Sequence, residues 1–240
     1  MNAPKTYVLL HGAWHGGWCW RLTAAALRAR GHRVLTPTQT GLGERRHLLS
    51  GSITLDTFIA DLVGVLEAEE LEEVILVGHS FGGLAISGAA DRVPQRIRHL
   101  VYLDALVLQP GQSPFGVLPA AVVAERRALV AERGGGLFIP TPPVSAFGVP
   151  EDHALAPWVR RRLTPHPAST YESVLPLRNP VGNGLPRSYI ACTDPAYAPL
   201  AAIWAWVRQQ PDWQWLELAT GHDAMVTAPE ALAAMLDGIG

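Results

Sequence analysis

Glu72-Glu73-Val74-Ile75-Leu76-Val77-Gly78-His79-Ser80-Phe81-Gly82-Gly83-Leu84 is the stretch from which the fold can be read. Val74 to Val77 is short, apolar and β-branched, and it stops at Gly78, the pattern of a buried strand that ends at a turn. Leu84, Ala85, Ile86, Ala89 and Ala90 follow at helical spacing. Ser80 therefore sits at the apex of a strand, a tight turn and a helix, inside Gly78-x-Ser80-x-Gly82. Such a turn strains the backbone of the serine, and glycine on either side removes Cβ atoms that would collide with the joined elements. The hydroxyl is left exposed above the edge of a sheet.

The rest of the chain supplies the sheet. Thr6 to Leu10 reads as a strand that runs into His11-Gly12-Ala13-Trp14-His15-Gly16-Gly17-Trp18, a glycine-rich loop whose backbone approaches something closely. Trp20 to Arg30 is a predicted helix with Leu22, Ala26 and Leu27 inward, stopped by Gly31. His32 to Thr36 reads as the next strand, and Pro37 to Leu49 as a long loop with a solvated Glu44-Arg45-Arg46-His47. A helix over Thr54 to Glu69 has Leu55, Ile59, Leu62, Val63 and Leu66 on one face; after the elbow and its helix comes a strand, Leu100 to Leu103, ending at Asp104.

This alternation predicts an α/β fold with a mainly parallel sheet of about six strands, covered on both faces. It breaks between 105 and 185, where short helices (Val122 to Glu132, Trp158 to Leu163, Thr170 to Val174) lie among prolines. The Leu, Phe, Trp and Val content of that stretch favours a packed cap over disorder, so residues 1–108 and 186–240 are expected to form the core and 109–185 a cap that roofs the serine. Arg187 to Ala191 resumes the sheet and leads to Cys192-Thr193-Asp194-Pro195. Leu200 to Arg208 is a predicted helix, Trp213 to Leu218 the last strand, Thr220 to Met225 a loop, and Pro229 to Leu236 the closing helix.

Composition narrows the chemistry. At 240 residues with 48% hydrophobic positions, one domain with a substantial core suffices. A net charge of −2 with scattered Lys and Arg leaves no basic stripe for nucleic acid and no polybasic segment for a membrane. Cys19 and Cys192 form neither a disulfide framework nor a metal cluster, and the short interval from Met1 to the first strand leaves no room for a signal peptide. The expectation is a cytoplasmic protein acting on a small molecule without metal or cofactor, with a homodimer left open.

Ligands in such a sheet collect at the carboxyl ends of its strands, where Ser80, Asp104, Asp194, His222 and the loop around Ala13 all fall. A serine hydroxyl is a poor nucleophile until a base takes its proton, and imidazole, with an ordinary pKa of roughly 6.5, suits that task. Of nine histidines, His222 follows the last strand, after the serine in chain order. His11 and His79 read as packing or hydrogen-bonding residues in turns flanking the site, and the other histidines as surface or satisfied core. The acid partner is Asp104 or Asp194; an ionisable group closing the apolar run Tyr102-Leu103 is costly unless paired, which favours Asp104. An oxyanion needs two pre-aimed donors, for which the N–H groups of Ala13 and Phe81 are placed; losing one such donor costs roughly 3 to 4 kcal/mol. Trp14 and His79, beside those donors, are the candidate substrate-binding side chains. Phe115, Phe138, Phe147 and Trp158 could join Trp14 around an apolar pocket.

Taken together, His11 to Trp18, Gly78 to Gly83, Val101 to Leu103 and Cys192-Thr193 resemble the α/β-hydrolase fold in its plant methylesterase and hydroxynitrile lyase branch, with bacterial esterase relatives, over essentially the whole chain. The resemblance implies Ser80 as nucleophile, His222 as base, and Ala13 and Phe81 as oxyanion donors. It leaves the acid open: plant members carry theirs one position beyond Asp194, where this chain has Pro195, a departure that agrees with Asp104. Hydroxynitrile lyases of this branch carry a threonine and a lysine where this chain has Gly12 and Asp223, so no cation is supplied for cyanide. The expected reaction is hydrolysis of a small, largely apolar carboxylic ester through an acyl-enzyme. Thioester, lactone or C–C bond hydrolysis by the same triad, and a ligand-binding relative with slow turnover, are the alternatives.

Overall fold

Residues 3–240 are described by the computed structural model; Met1 and Asn2, and with them the reading of the extreme N-terminus, lie outside the described residues. Six strands form one sheet: β1 (Thr6–Leu10), β2 (Arg33–Leu35), β3 (Val74–His79), β4 (Ile97–Leu103), β7 (Arg187–Cys192) and β8 (Gln214–Leu218). Their order across the sheet is β2-β1-β3-β4-β7-β8, and every neighbouring pair is parallel. This is the parallel α/β sheet that the alternating pattern predicts, in the α/β-hydrolase arrangement that the resemblance implies.

Parallel strands covered on both faces must be apolar on both, and β3 is buried at each of its six positions. Successive residues feed opposite layers. Val8, Leu10, Val74, Leu76, Leu100 and Tyr102 face α2 (Leu55–Ala68) and α3 (Gly82–Arg92). Tyr7, Leu9, Ile75, Val77, Val101 and Leu103 face α1 (Arg21–Ala29) and α10 (Pro229–Asp237). Each fully buried Val, Leu or Ile contributes about 1.5–3 kcal/mol, so the central strands are the most firmly held part of the chain. In α1 the buried positions are Thr23, Ala24, Ala26 and Leu27, whereas Leu22 is 36% exposed and points outward. The helix begins at Arg21, after a single 3-10 turn over Gly17–Trp20, and this phase puts Thr23 inward in place of Leu22.

The register aligns Leu10 with Gly78, His79 with Leu103, and Cys192 with Leu218, so the loops that leave β1, β3, β4, β7 and β8 emerge along one edge. Between β4 and β7 the chain makes α4 (Pro114–Val117), α5 (Ala120–Glu132), α6 (Ala156–Arg160) and α7 (Ser169–Glu172), and the antiparallel pair β5 (Phe138–Ile139) and β6 (His166–Pro167). This insertion is tied to that same edge. Trp14 Nε1 donates to the Ile139 carbonyl at 3.1 Å, Thr164 N–H to the Trp14 carbonyl at 2.9 Å, and Asp223 N–H to the Phe147 carbonyl at 2.9 Å. α5 buries none of its residues, unlike the helices on the sheet. The remaining helices are α8 (Ala201–Val207) and α9 (Ala224–Thr227), and among the described residues no helix is long and apolar enough to cross a membrane.

Candidate active site

β3 stops at His79 and α3 starts at Gly82, so the chain must reverse within two residues. Ser80 does so with φ +53°, a left-handed conformation that costs a non-glycine residue of order 1 kcal/mol or more. Its peptide is held on both sides: the N–H donates to the Leu103 carbonyl at 3.1 Å, and the carbonyl accepts from Leu106 N–H at 3.0 Å and Gly83 N–H at 3.1 Å. The glycines follow from close approach. A Cβ on Gly78 would lie 2.8 Å from the Gly82 carbonyl oxygen, and one on Gly12 would lie 2.7 Å from Ser80 Cβ, so the β1 loop crosses directly over the serine.

Ser80 Oγ is 2.9 Å from His222 Nε2, and His222 Nδ1 is 2.6 Å from Asp104 Oδ2. A carboxylate only accepts, so the imidazole proton sits on Nδ1 and the Nε2 lone pair faces the serine hydroxyl. Asp104 is fully buried; Trp204 Nε1 donates to its other oxygen at 3.1 Å and Cys192 N–H at 3.4 Å. Three donors thus converge on one buried carboxylate, which is what burying such a group requires. Asp194 is exposed, its N–H bonded to the Thr220 carbonyl, and no hydrogen bond links it to His222. Between the two acids that the sequence leaves open, the structure puts Asp104 on the histidine.

His222 is clamped by two rings. Tyr197 stacks on it with centroids 4.2 Å apart, and His79 lies on it at 4.6 Å. His79 is fully buried and donates from Nε2 to the His222 carbonyl at 3.0 Å. Burial, together with the nearby imidazoles of His222 and His15, pushes its pKa well below the ordinary value, so it stays neutral. Its place is beneath the histidine loop rather than along a substrate cavity, contrary to the expectation that it touches substrate.

The loop after β1 carries Ala13, and the elbow carries Phe81. Among the described residues, no acceptor takes the N–H of either. The Ala13 peptide is held from its other end, because its carbonyl accepts from His15 Nδ1–H at 2.8 Å while His15 Nε2 lies 3.0 Å from Asp223 Oδ2. Both ring nitrogens of His15 donate, which makes it a buried imidazolium paired with Asp223. Burial alone would lower the pKa of His15; the charge and hydrogen bond of Asp223, with the Ala13 carbonyl, outweigh it and raise the pKa. The preceding residue is fixed in turn, since Gln39 N–H donates to His11 Nε2 at 3.1 Å and His11 Nδ1–H then meets the Gly12 carbonyl at 2.8 Å. Burial takes the pKa of His11 down to about 3.

Trp14, at φ +63°, walls a cavity of about 380 Å³ with Phe147 and Tyr197 of the loops and Val122, Arg126 and Leu129 of α5. Of the other aromatic residues expected there, Phe115 lines a separate cavity and Trp158 packs edge-on against Trp18. A larger groove of about 740 Å³ between β2 and α2 touches none of the residues above. Sequence reasoning did not single out the His15–Asp223 pair, Tyr197, Trp204 or Arg126; among these, only Asp223 carried a signal, as a carboxylate beside His222 in an otherwise apolar loop.

Comparison with known proteins places the chain in a family. The chain is 44% identical to a carbendazim hydrolyzing esterase from Nocardioides sp. (strain SG-4G), over 98% of its own length and 99% of that protein's. It is 38% identical to an alpha-hydroxynitrile lyase of Arabidopsis thaliana, over 49% of its length and 46% of the lyase. Among solved structures, an extracellular alpha/beta-hydrolase from a Paenibacillus species superposes with a TM-score of 0.85 at 26% identity, covering 99% of both chains. Residues 7–235 match the alpha/beta hydrolase family, and the chain belongs to it.

Proposed function

We propose that this protein is a serine esterase that cleaves a small carboxylic ester through an acyl-enzyme. The observation that carries the reading is the unbroken line from Ser80 Oγ through His222 (2.9 Å) to Asp104 (2.6 Å), beside two N–H groups without acceptors. Ester carbonyl carbon meets Ser80 Oγ as His222 Nε2 takes the hydroxyl proton, and Asp104 stabilises the imidazolium that forms. The carbonyl oxygen becomes an oxyanion and accepts from Ala13 and Phe81, donors already aimed and needing no reorganisation; each is worth about 3 kcal/mol to the transition state. His222 then returns its proton to the leaving alkoxide, and a water molecule activated by the same nitrogen releases the acid. Each step balances without a metal or redox cofactor. The insertion acts as the cap over this reaction, with Trp14, Phe147 and Tyr197 forming the pocket wall.

Ester cleavage is favoured over thioester, lactone or C–C bond hydrolysis because the relative of full length is an esterase and several plant relatives bear the name putative methylesterase. Hydroxynitrile lysis fits less well: the residue after His222 is the carboxylate Asp223, already paired with His15, so that position supplies no cation for cyanide. Hydrolysis of methyl and p-nitrophenyl esters by the purified protein, with and without Ser80→Ala, tests the proposal. Turnover that survives Ser80→Ala would end it.

A further inference from the structure

α5 carries two adjacent arginines with opposite fates. Arg127 points outward and forks onto Glu172, with Nε and Nη2 each 3.0 Å from a carboxylate oxygen. Arg126 points into the cavity beside Trp14, on a helix face that it shares with Val122 and Leu129 at four and three residues' spacing. Its guanidinium carbon lies 4.8 Å from the ring centre of Tyr171 and 5.5 Å from that of Trp14. Among the described residues no carboxylate lies within salt-bridge distance of it, and its Nη1 is buried without a hydrogen-bond partner. Glu125, the one acid along this cavity, is exposed and does not pair with it; Arg133 lies at the rim.

A half-buried cation without a counter-charge is costly to keep, and aromatic faces compensate only in part. The three rings around Arg126 also lead to the reacting atoms. Trp14 follows the oxyanion residue Ala13, Tyr171 packs on Phe81 at 4.6 Å, and Tyr197 stacks on His222 at 4.2 Å. Burial raises the pKa of both phenols, while the charge of Arg126 and a hydrogen bond from it oppose this, so the guanidinium is held against the two hydroxyls by its own protein. The charge is therefore separated from the elbow and from His222 by a single aromatic layer.

We infer that Arg126 is a specificity residue that binds a carboxylate on the substrate's far end, so that the preferred esters are half-esters of short dicarboxylic acids. This rests on the esterase reading and adds the substrate class to it. A guanidinium offers two parallel N–H donors to a carboxylate, and among the described residues no protein carboxylate pairs with Arg126. The Trp14 and Phe147 walls suit the short methylene body between the two ends.

The test compares monomethyl with dimethyl succinate, glutarate and adipate in the parent, Arg126→Gln and Arg126→Lys. In the parent, kcat/KM for the best half-ester should exceed that of its dimethyl ester about tenfold to a hundredfold, the range of one hydrogen-bonded charge pair. Arg126→Gln should bring that ratio to about one, mainly through KM, and Arg126→Lys should restore part of it. A parent that prefers the neutral ester, or an Arg126→Gln protein in which both kcat/KM values fall by the same factor, overturns the inference and leaves Arg126 as a staple between insertion and core. A second arm separates this from a failure of the esterase reading. Monomethyl glutarate is titrated into Ser80→Ala, with tryptophan fluorescence as the signal; saturable binding that Arg126→Gln abolishes upholds the site whether or not esters turn over, and equal binding with or without Arg126 overturns it.

Discussion

Asp104→Asn isolates the role of the buried carboxylate, because the two side chains have the same shape and the contacts around them dictate how the amide sits. On one side, Trp204 Nε1–H and Cys192 N–H point at Oδ1 from 3.1 and 3.4 Å, and both need an acceptor. Turning the amide nitrogen toward them would leave two buried donors unpaired, at about 1–3 kcal/mol each, so the Asn oxygen takes that side. The NH2 group then faces His222 Nδ1 across the 2.6 Å contact. It can only donate, so the imidazole must carry its proton on Nε2, facing Ser80 and unable to accept from it. Restoring the productive tautomer sets N–H against N–H in a buried site, and the imidazolium of the transition state loses its counter-charge. A penalty of about 4–5.5 kcal/mol follows, which is 10³- to 10⁴-fold in kcat. The assay is steady-state hydrolysis of p-nitrophenyl acetate near pH 8, with thermal unfolding to show that the variant is folded. Asp194→Asn, on an exposed side chain, serves as the control and should stay within about twofold of the parent. The reasoning is refuted if Asp104→Asn keeps more than a tenth of the parental kcat, or if Asp194→Asn loses as much.

Gly12→Ala places a methyl 2.7 Å from Ser80 Cβ and 3.1 Å from His79 Nδ1, so the loop bearing Ala13 must shift; kcat should fall about a hundredfold with KM much less affected, and a variant within threefold of the parent would contradict this placement of the loop. Asp223→Asn leaves His15 buried without its counter-charge and should cost roughly 3 kcal/mol in urea unfolding, whereas a change below about 1 kcal/mol would mean that the pair does not hold the loop. Acid should destabilise the fold. His11, with its pKa lowered to about 3, and His79 and His166, lowered by the same burial, stay neutral when folded but take up protons when unfolded, so their contribution is whole above pH about 6.5 and shrinks as pH falls toward 3. For His11 alone the loss is about 1.4 kcal/mol per pH unit; His15 has the opposite sign, its contribution present below about 6.5 and lost as pH rises through its raised value. A urea midpoint at pH 5 equal to or above that at pH 7.5 would refute the balance.

The parts of this molecule that the sequence makes legible are those in which a local pattern carries the cause. β3 and β4 are short apolar runs because both faces of a parallel sheet are covered, and the expected strand from Leu100 is extended in the structure only to Ile97. Gly78, Ser80 and Gly82 mark a turn that only that spacing can make. Asp104 was readable for a different reason: burying a carboxylate at the end of an apolar strand makes sense only with partners, and three donors are there. What escaped has no local signature. The pairs β5 and β6 are two residues each, too short for a period to show, and Leu22 fits the apolar pattern of α1 but lies off its buried face because the helix starts after a 3-10 turn.

His15 and Asp223 meet across 208 residues, and nothing near either one announces the other. Their energetics nevertheless bear on the site more directly than most of the core does. A buried ion pair adds little net stability over apolar groups of the same shape, while the loss of one partner is expensive. Such a pair therefore makes sense where a geometry must be fixed rather than a fold strengthened, and here the geometry is that of the Ala13 peptide, whose carbonyl His15 holds from one side while its N–H stays open on the other. Arg126 is the converse case: a cation on the insertion with which, among the described residues, no carboxylate forms a salt bridge. One charge is held internally and fixes the Ala13 peptide; on the proposed function the first would set the rate on every ester, and on the further inference the second would set the choice among them.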